Sequence, residues 1–299
     1  MSVKVQGLIL LIQLMLIAGL FIYKDNDDNQ LISEDKFLTI DSNKISVIYI
    51  NDNNANKITL RKIEGQWILP EYHQLSVNRG LLDDLIEKLS GAKPGWPVAQ
   101  TESAAKRFNV ADNQFLRHIQ FESEGKAVAD IYLGDSPGLR KIYLRKKDEI
   151  EIYEIELALH MAPSTGVEWF DKSILKLHGD ITEIRVGDIL LKKELESWNM
   201  AGLEESETLN QKRIDSILTN LKYPQVLGVA AKSLLSKIDN NKADVHYDIK
   251  VNDRAVSFDF FKTSEGVVVK SSESDLYFIA AGFVADNLLS ISRGDLIKH

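Results

Sequence analysis

The apolar positions of this chain form three kinds of run. The first is unbroken. From Val5 to Tyr23 there is no charged residue, and Lys4 and Lys24 bracket the stretch. The second kind alternates with polar residues, as in Lys44-Ile45-Ser46-Val47-Ile48-Tyr49-Ile50 and Lys57-Ile58-Thr59-Leu60-Arg61-Lys62-Ile63, the pattern of a half-buried strand. The third recurs at helical spacing. Leu81, Leu82, Leu85, Ile86 and Leu89 make one stripe, with Ser76 or Asn78 as candidate cap, and Ile214, Ile217, Leu218 and Leu221 make another.

The unbroken run has the length of a membrane span. A bilayer core about 30 Å thick takes roughly 20 apolar helical residues. A cleaved signal peptide has a shorter apolar core, about 7–15 residues, followed by a small-x-small site. Here the apolar residues continue through Leu20-Phe21-Ile22-Tyr23, and Ala18-Gly19, the small pair, lies inside the run. There is no Cys to carry a lipid anchor. The reading is an uncleaved transmembrane anchor over residues 1–24, ahead of a cleaved signal or a buried soluble helix. Lys4 and the α-amine precede it, and Asp25-Asn26-Asp27-Asp28 begins a polar tether over residues 25–36. Lys36 and Lys44 weaken the contrast in Lys and Arg across the run, but a long C-terminal domain translocates largely regardless of such charges, and the expected orientation is N-terminus inside and bulk outside the cytoplasmic membrane.

Behind the tether, one order of elements occurs twice. A strand, a second strand closing on Trp67, a helix and then strands at 116–121, 127–133, 141–144 and 150–155 make the first set. Strands at 181–186 and 189–194 running to Trp198, a helix behind the capping-box spelling Thr208-x-x-Gln211, and strands at 245–251, 254–261, 266–270 and 276–279 make the second. Trp67 aligns with Trp198, Leu85 with Ile217, Leu89 with Leu221, Ala127-Val128 with Ala255-Val256, and Tyr153 with Tyr277. The late connections are too short for parallel crossovers. The expected fold is therefore α+β, two similar, mostly antiparallel sheet-plus-helix lobes from an internal duplication. The expected boundaries are 37–162 and 163–299, with Pro163-Ser164-Thr165-Gly166 at the junction.

Composition narrows the function classes. A hydrophobic share of 44% supports a real core. A net charge of −8 argues against nucleic acid or anionic lipid headgroups as the main partner, since both need a basic footprint. The absence of Cys excludes disulfides, thiolate catalysis and thiolate zinc sites.

Several short pieces carry a family resemblance. They are Gly65-Gln66-Trp67, Leu85-Ile86-Glu87-Lys88-Leu89, Arg107-Phe108-Asn109-Val110, Ile131-Tyr132-Leu133-Gly134-Asp135, Ile142-Tyr143-Leu144-Arg145, and above all the run from Trp169 to Leu177. Together they resemble the family called domain of unknown function 4340. The chain departs from it at Phe108-Asn109-Val110, where the family often has Phe-Gly-Leu. The resemblance implies a membrane-anchored envelope protein that accompanies ABC-type transporter subunits of the gliding-motility auxiliary kind. It supplies no catalytic residues.

The chemistry-bearing spellings fail on their requirements. Gly134-Asp135-Ser136-Pro137-Gly138 spells a nucleophile elbow, but the residue after the serine must give its N–H to an oxyanion, and Pro137 has none. Asp52-x-Asn54-x-Asn56 begins like a calcium loop, yet Lys57 stands where Gly is needed and Ile63 where Glu is needed. Both read as hairpin turns. The six histidines make no H-x-x-x-H pair, and His118 and His246 fall at similar places in the two copies. Neither a Walker loop nor a G-x-G-x-x-G is present.

No catalytic, cofactor-binding or metal-ligating residue is assigned, and no cofactor is expected. Trp96, between Gly95 and Pro97, is the candidate partner contact. Trp169 and Phe170 are the candidate inter-lobe joint. The expected function is a non-enzymatic accessory subunit of an envelope complex in the cytoplasmic membrane. Its partners would be membrane proteins, an ABC permease and auxiliary subunits among them, and the bilayer through residues 5–23. The alternatives are a ligand-binding or sensing module with a site between the lobes, and a membrane-tethered hydrolase.

Overall fold

The computed structural model describes residues 37–298 apart from 196 and 239–241; the expected anchor and tether lie outside the described residues. Among the described residues no helix is long and apolar enough to cross a membrane.

The first half opens with a meander of β1 (Val47–Asn51), β2 (Lys57–Ile63), β3 (Gln66–Leu69) and β4 (Leu75–Ser76). Then follow α1 (Arg79–Ser90), α2 (Glu102–Arg107) and a small hairpin of β5 (Val110–Ala111) and β6 (Gln114–Phe115). The last four strands are β7 (Arg117–Ser123), β8 (Lys126–Leu133), β9 (Ile142–Lys146) and β10 (Ile152–Ile155). Eight of these strands make one sheet in the order β10-β9-β8-β7-β1-β2-β3-β4, every neighbour antiparallel.

The second half begins with the short α3 (Gly166–Trp169). After it come β11 (Ile181–Val186), β12 (Ile189–Glu194), β13 (Ser197–Met200), β14 (Thr208–Leu209), α4 (Gln211–Lys222), β15 (Val226–Val229) and α5 (Lys232–Leu235). The chain then adds β16 (Val245–Val251), β17 (Arg254–Thr263), β18 (Gly266–Ser271), β19 (Tyr277–Ala280), α6 (Gly282–Leu289), α7 (Arg293–Leu296) and β20 (Ile297–Lys298). Its large sheet runs β13-β12-β11-β16-β17-β18-β19-β15, again antiparallel throughout. In both sheets the first strand of the early meander lies beside the first strand of the late one: β1 beside β7, and β11 beside β16.

One helix packs on each sheet for the reason its spacing announces. Leu82, Leu85, Ile86 and Leu89 of α1 are buried, as are Ile214, Ile217 and Leu221 of α4. Each such side chain contributes about 2 kcal/mol by leaving water. Asn78, not Ser76, caps α1, its side chain accepting from the Leu81 amide. The expected capping box at Thr208 does not form. Thr208 lies in β14, paired with Lys298 of β20, and Asn210 becomes the cap of α4. The Asn210 amide donates to the Leu296 carbonyl at 2.7 Å, so the end of α7, directly before β20, fixes where the helix starts.

The other face of each sheet carries a smaller cover. Ala104 and Ala105 of α2, with Val110 and Ala111 of β5, pack on Tyr132 and Ile152. Ala230, Leu234 and Ile238 pack on Phe261 and Val268 of the second sheet. The aligned pair Val128 and Val256 differ: Val256 is buried, whereas Val128 is exposed at a bulge that breaks the β7–β8 register between Phe121 and Glu122.

Candidate functional site

Trp169 and Phe170 lie where the two sheets meet, and both are wholly buried. The Trp169 indole donates to the Pro163 carbonyl at 2.6 Å, and its own carbonyl accepts from the Asn78 amide at 2.7 Å. Phe170 bridges to Val77, and the Asp171 amide donates to the Ser76 carbonyl at 2.8 Å. The segment thus extends the β4 edge of the first sheet before entering the second half. Tyr72 completes the joint from the other side. Its ring lies 5.7 Å from that of Phe170, and its hydroxyl accepts from the Val229 amide of β15 at 3.2 Å. A single hydrophobic core runs from Leu38 to Ile297 through this joint, so the space between the sheets is filled by side chains there.

Trp96 stands apart from the other tryptophans. It is 86% exposed, whereas Trp67 and Trp169 are buried and Trp198 is half-buried. Trp198, which aligns with Trp67, does not share its full burial. Instead it helps line a groove of about 200 Å³ with Lys193, Leu218 and Tyr223. A larger groove of about 690 Å³ runs beside α1, between residues 39–42 and Asp83, Ile86, Glu87 and Ser90. Each of these grooves belongs to one half of the chain.

The two turns that spell catalytic motifs use their polar groups internally. The Ser136 hydroxyl faces the carbonyls of Gly138 and Lys141 at 2.6 and 2.7 Å. Gly134 is required there, because a Cβ would lie 2.0 Å from the Phe108 carbonyl oxygen. The Asp52 carboxylate accepts from the amides of Asn54 and Asn56 and from the Ser164 hydroxyl. Burial works to raise its pKa, but these hydrogen bonds outweigh it and hold Asp52 below the ordinary carboxylate value.

His118 and His246 each stand second in a strand and head a polar row across a sheet. In the first sheet His118, Tyr132 and Arg145 are direct neighbours on β7, β8 and β9. The imidazole stacks on the Tyr132 ring at 4.6 Å, and the Arg145 guanidinium lies 4.8 Å from the centre of the same ring. Arg145 donates to the carbonyls of Val110, Lys147 and Glu149 and pairs with Asp112. Burial, with the charges of Asp112 and Asp130, pushes Tyr132 up to about 12, so its hydroxyl is protonated at neutral pH. His118 Nε2 lies 2.5 Å from Asp130.

In the second sheet the row reads His246, Asp259, Lys270 and Tyr277. His246 Nδ1 meets Asp259 at 2.5 Å and Nε2 meets Asp248 at 3.1 Å. The hydrogen bond to Asp259 is the main cause of a raised pKa, and Asp248 adds to it. With both ring nitrogens on carboxylates, His246 has none left to activate a hydroxyl nucleophile. Asp130 and Asp259 come from neighbouring strands, which no local spelling reveals, whereas Asp248 lies two residues on from His246 in β16 itself. Among the described residues no three His, Cys, Asp or Glu side chains are grouped to hold a metal ion.

A family model described as "Domain of unknown function (DUF4340)" matches residues 67–246. The matched stretch begins at Trp67 of β3, crosses the joint and ends at His246 of β16. No curated protein and no solved structure matches the chain.

Proposed function

The chain belongs to the family described as domain of unknown function 4340, and from that premise we propose that it is a membrane-anchored, non-enzymatic accessory subunit of a cell-envelope complex, an ABC-type transporter being the partner of choice. Residues 5–23 would form the span, with the N-terminus inside and the two sheets on the extracytoplasmic side. Seven strands follow the same order in the two sheets, which supports descent from one duplicated lobe; the eighth strands, β4 and β15, sit at opposite ends of that shared order.

The observation that carries this reading is the filled joint. Trp169 and Phe170 are fully buried there, and Tyr72 of the first half bonds the β15 backbone of the second. Two sheets locked in this way make a rigid platform suited to presenting a protein surface. Exposed apolar side chains on the second half, Leu227 of β15 and Phe283 of α6, are the contacts such a platform would offer a protein partner.

Co-purification in mild detergent at native expression tests the proposal. A stable membrane-protein partner, lost on substitution Phe283→Asp or Leu227→Asp, is the expected result. Recovery of the intact chain as a lone monomer would count against it. A ligand-binding role would use a groove within the first half in place of a cleft between the sheets: the one beside α1, or one of about 540 Å³ beside α2 and Arg145, has the volume for a small molecule.

A further inference from the structure

Two separate features of the first half converge on one strand. Phe37, the first described residue, sets its ring edge-on against Tyr153 of β10 at 4.9 Å, and the Lys146 ammonium lies 4.7 Å from the Phe37 ring centre. The segment that carries Trp96 is tied to the same strand: the Val98 amide donates to the Ile152 carbonyl at 2.8 Å, and the Ile152 amide donates to the Ala99 carbonyl at 2.9 Å. Chain entry and exposed tryptophan therefore share the β10 edge of the sheet. The joint with the second half involves β4, at the opposite edge. Eight strands about 4.8 Å apart put roughly 30 Å between the two edges.

From this placement we infer that Trp96 and Val98 contact the bilayer that holds the anchor, at the boundary between headgroups and acyl chains. The inference rests on the anchored reading given above. Residues 24–36, between the apolar run and Phe37, span at most about 45 Å when fully extended, so Phe37 lies within that distance of the surface. The indole has an apolar body and a polar N–H, the combination favoured at a membrane interface. Trp96 and Val98, two residues apart, are both exposed and apolar, and exposed Lys93 lies three residues from Trp96, where its ammonium can meet lipid phosphate. Pro97 restricts the Trp96 backbone to extended conformations, so the presentation of the ring is largely prepaid in entropy. The partner of Trp96 is then lipid, and protein partners use the second half, held away from the surface by the width of the first sheet.

The test uses the full chain in phosphatidylcholine vesicles whose acyl chains carry bromine, a short-range quencher of indole emission. One of four tryptophans is exposed, so about a quarter of the emission should be quenched by the brominated lipid, and Trp96→Phe should abolish that fraction. With the full chain in these vesicles, iodide in the aqueous phase should quench the wild type and Trp96→Phe equally, because lipid shields Trp96. Equal lipid quenching in the wild type and Trp96→Phe, or iodide quenching that Trp96→Phe removes, would overturn the inference. Extraction in alkaline carbonate separates the two levels. Release of the chain from the membrane removes the anchored reading itself, whereas retention without lipid quenching removes only the contact of Trp96.

Discussion

Asn78 and Asn210 perform the same act at the starts of the two twelve-residue helices: Oδ1 of each accepts from the amide three residues on, that of Leu81 at 3.2 Å and that of Arg213 at 3.4 Å. Each amide is one of four that a helix start leaves without a backbone partner. Replacing either residue by Ala should lower stability by about 1 kcal/mol, and Asp in its place should retain most of it. Urea unfolding of the four single variants measures this. An unchanged midpoint in Asn78→Ala would show that the cap contributes nothing.

His246 ties stability to pH. Its folded-state pKa lies above the ordinary 6.5, chiefly through the hydrogen bond to Asp259. A group raised on folding contributes fully below its unfolded value and loses that contribution as pH rises through the folded value. Stability should therefore fall from pH 6.5 upward by an amount that His246→Gln removes. Nitrogen-detected titration of the imidazole should give a midpoint above 6.5. Asp259→Asn should pull that midpoint down further than Asp248→Asn. A reversed order would assign the main role to the wrong carboxylate.

Arg145 is more a backbone staple than a charge partner. Its guanidinium is buried, yet Asp112, with which it pairs, is mostly exposed. The carbonyls of Val110, Lys147 and Glu149 are the groups left bare if it goes. Arg145→Met should destabilise by about 1–3 kcal/mol, because the buried Val110 carbonyl and the part-buried contacts to Lys147 and Glu149 lose their donor. Asp112→Asn should change stability by less than about 1 kcal/mol. Calorimetry distinguishes the two. Comparable losses would make the ion pair the source of the stability.

What could be read in the sequence follows the range of each interaction. The stripe from Leu82 to Leu89 and the alternation in β1 and β2 are periodic signals, complete within a dozen residues, and they predicted the elements that form. The turns at Asp52 and Ser136 were legible for the same reason. Thr208 misled because its fate depends on Lys298, far along the chain, which draws it into β14 and hands the cap to Asn210. The C-terminal α6 and β20 carried no strong period and were not anticipated. The His–Asp partnerships and the contact of Tyr72 with Val229 required knowing which strands lie side by side. The exposure of Trp96 was suggested by its Pro and Gly neighbours, but the sharing of β10 with Phe37 belongs to the folded sheet alone.

The joint makes its own prediction through Gly166. A Cβ on this residue would lie 2.5 Å from Cγ of Tyr72 and 2.6 Å from its Cβ, too close for any real pair of carbons. A rotamer change moves Cγ but not Cβ, which the backbone fixes, so no rotamer relieves the 2.6 Å contact and Tyr72 or α3 must shift. That shift endangers the bond from the Val229 amide to the Tyr72 hydroxyl and the packing on Phe170. Gly166→Ala should thus destabilise by about 1–3 kcal/mol. Tyr72→Ala should also destabilise, by loss of the buried ring and its hydrogen bond. Together the two should depart from additivity, because the clashes with Cγ and Cδ2 go with the ring, while the Cβ that Tyr72→Ala keeps still lies 2.6 Å from the added methyl. A double-mutant cycle by chemical unfolding reads this coupling. Strict additivity would mean that Gly166 and Tyr72 do not meet in solution, and the rigid platform would lose its keystone contact.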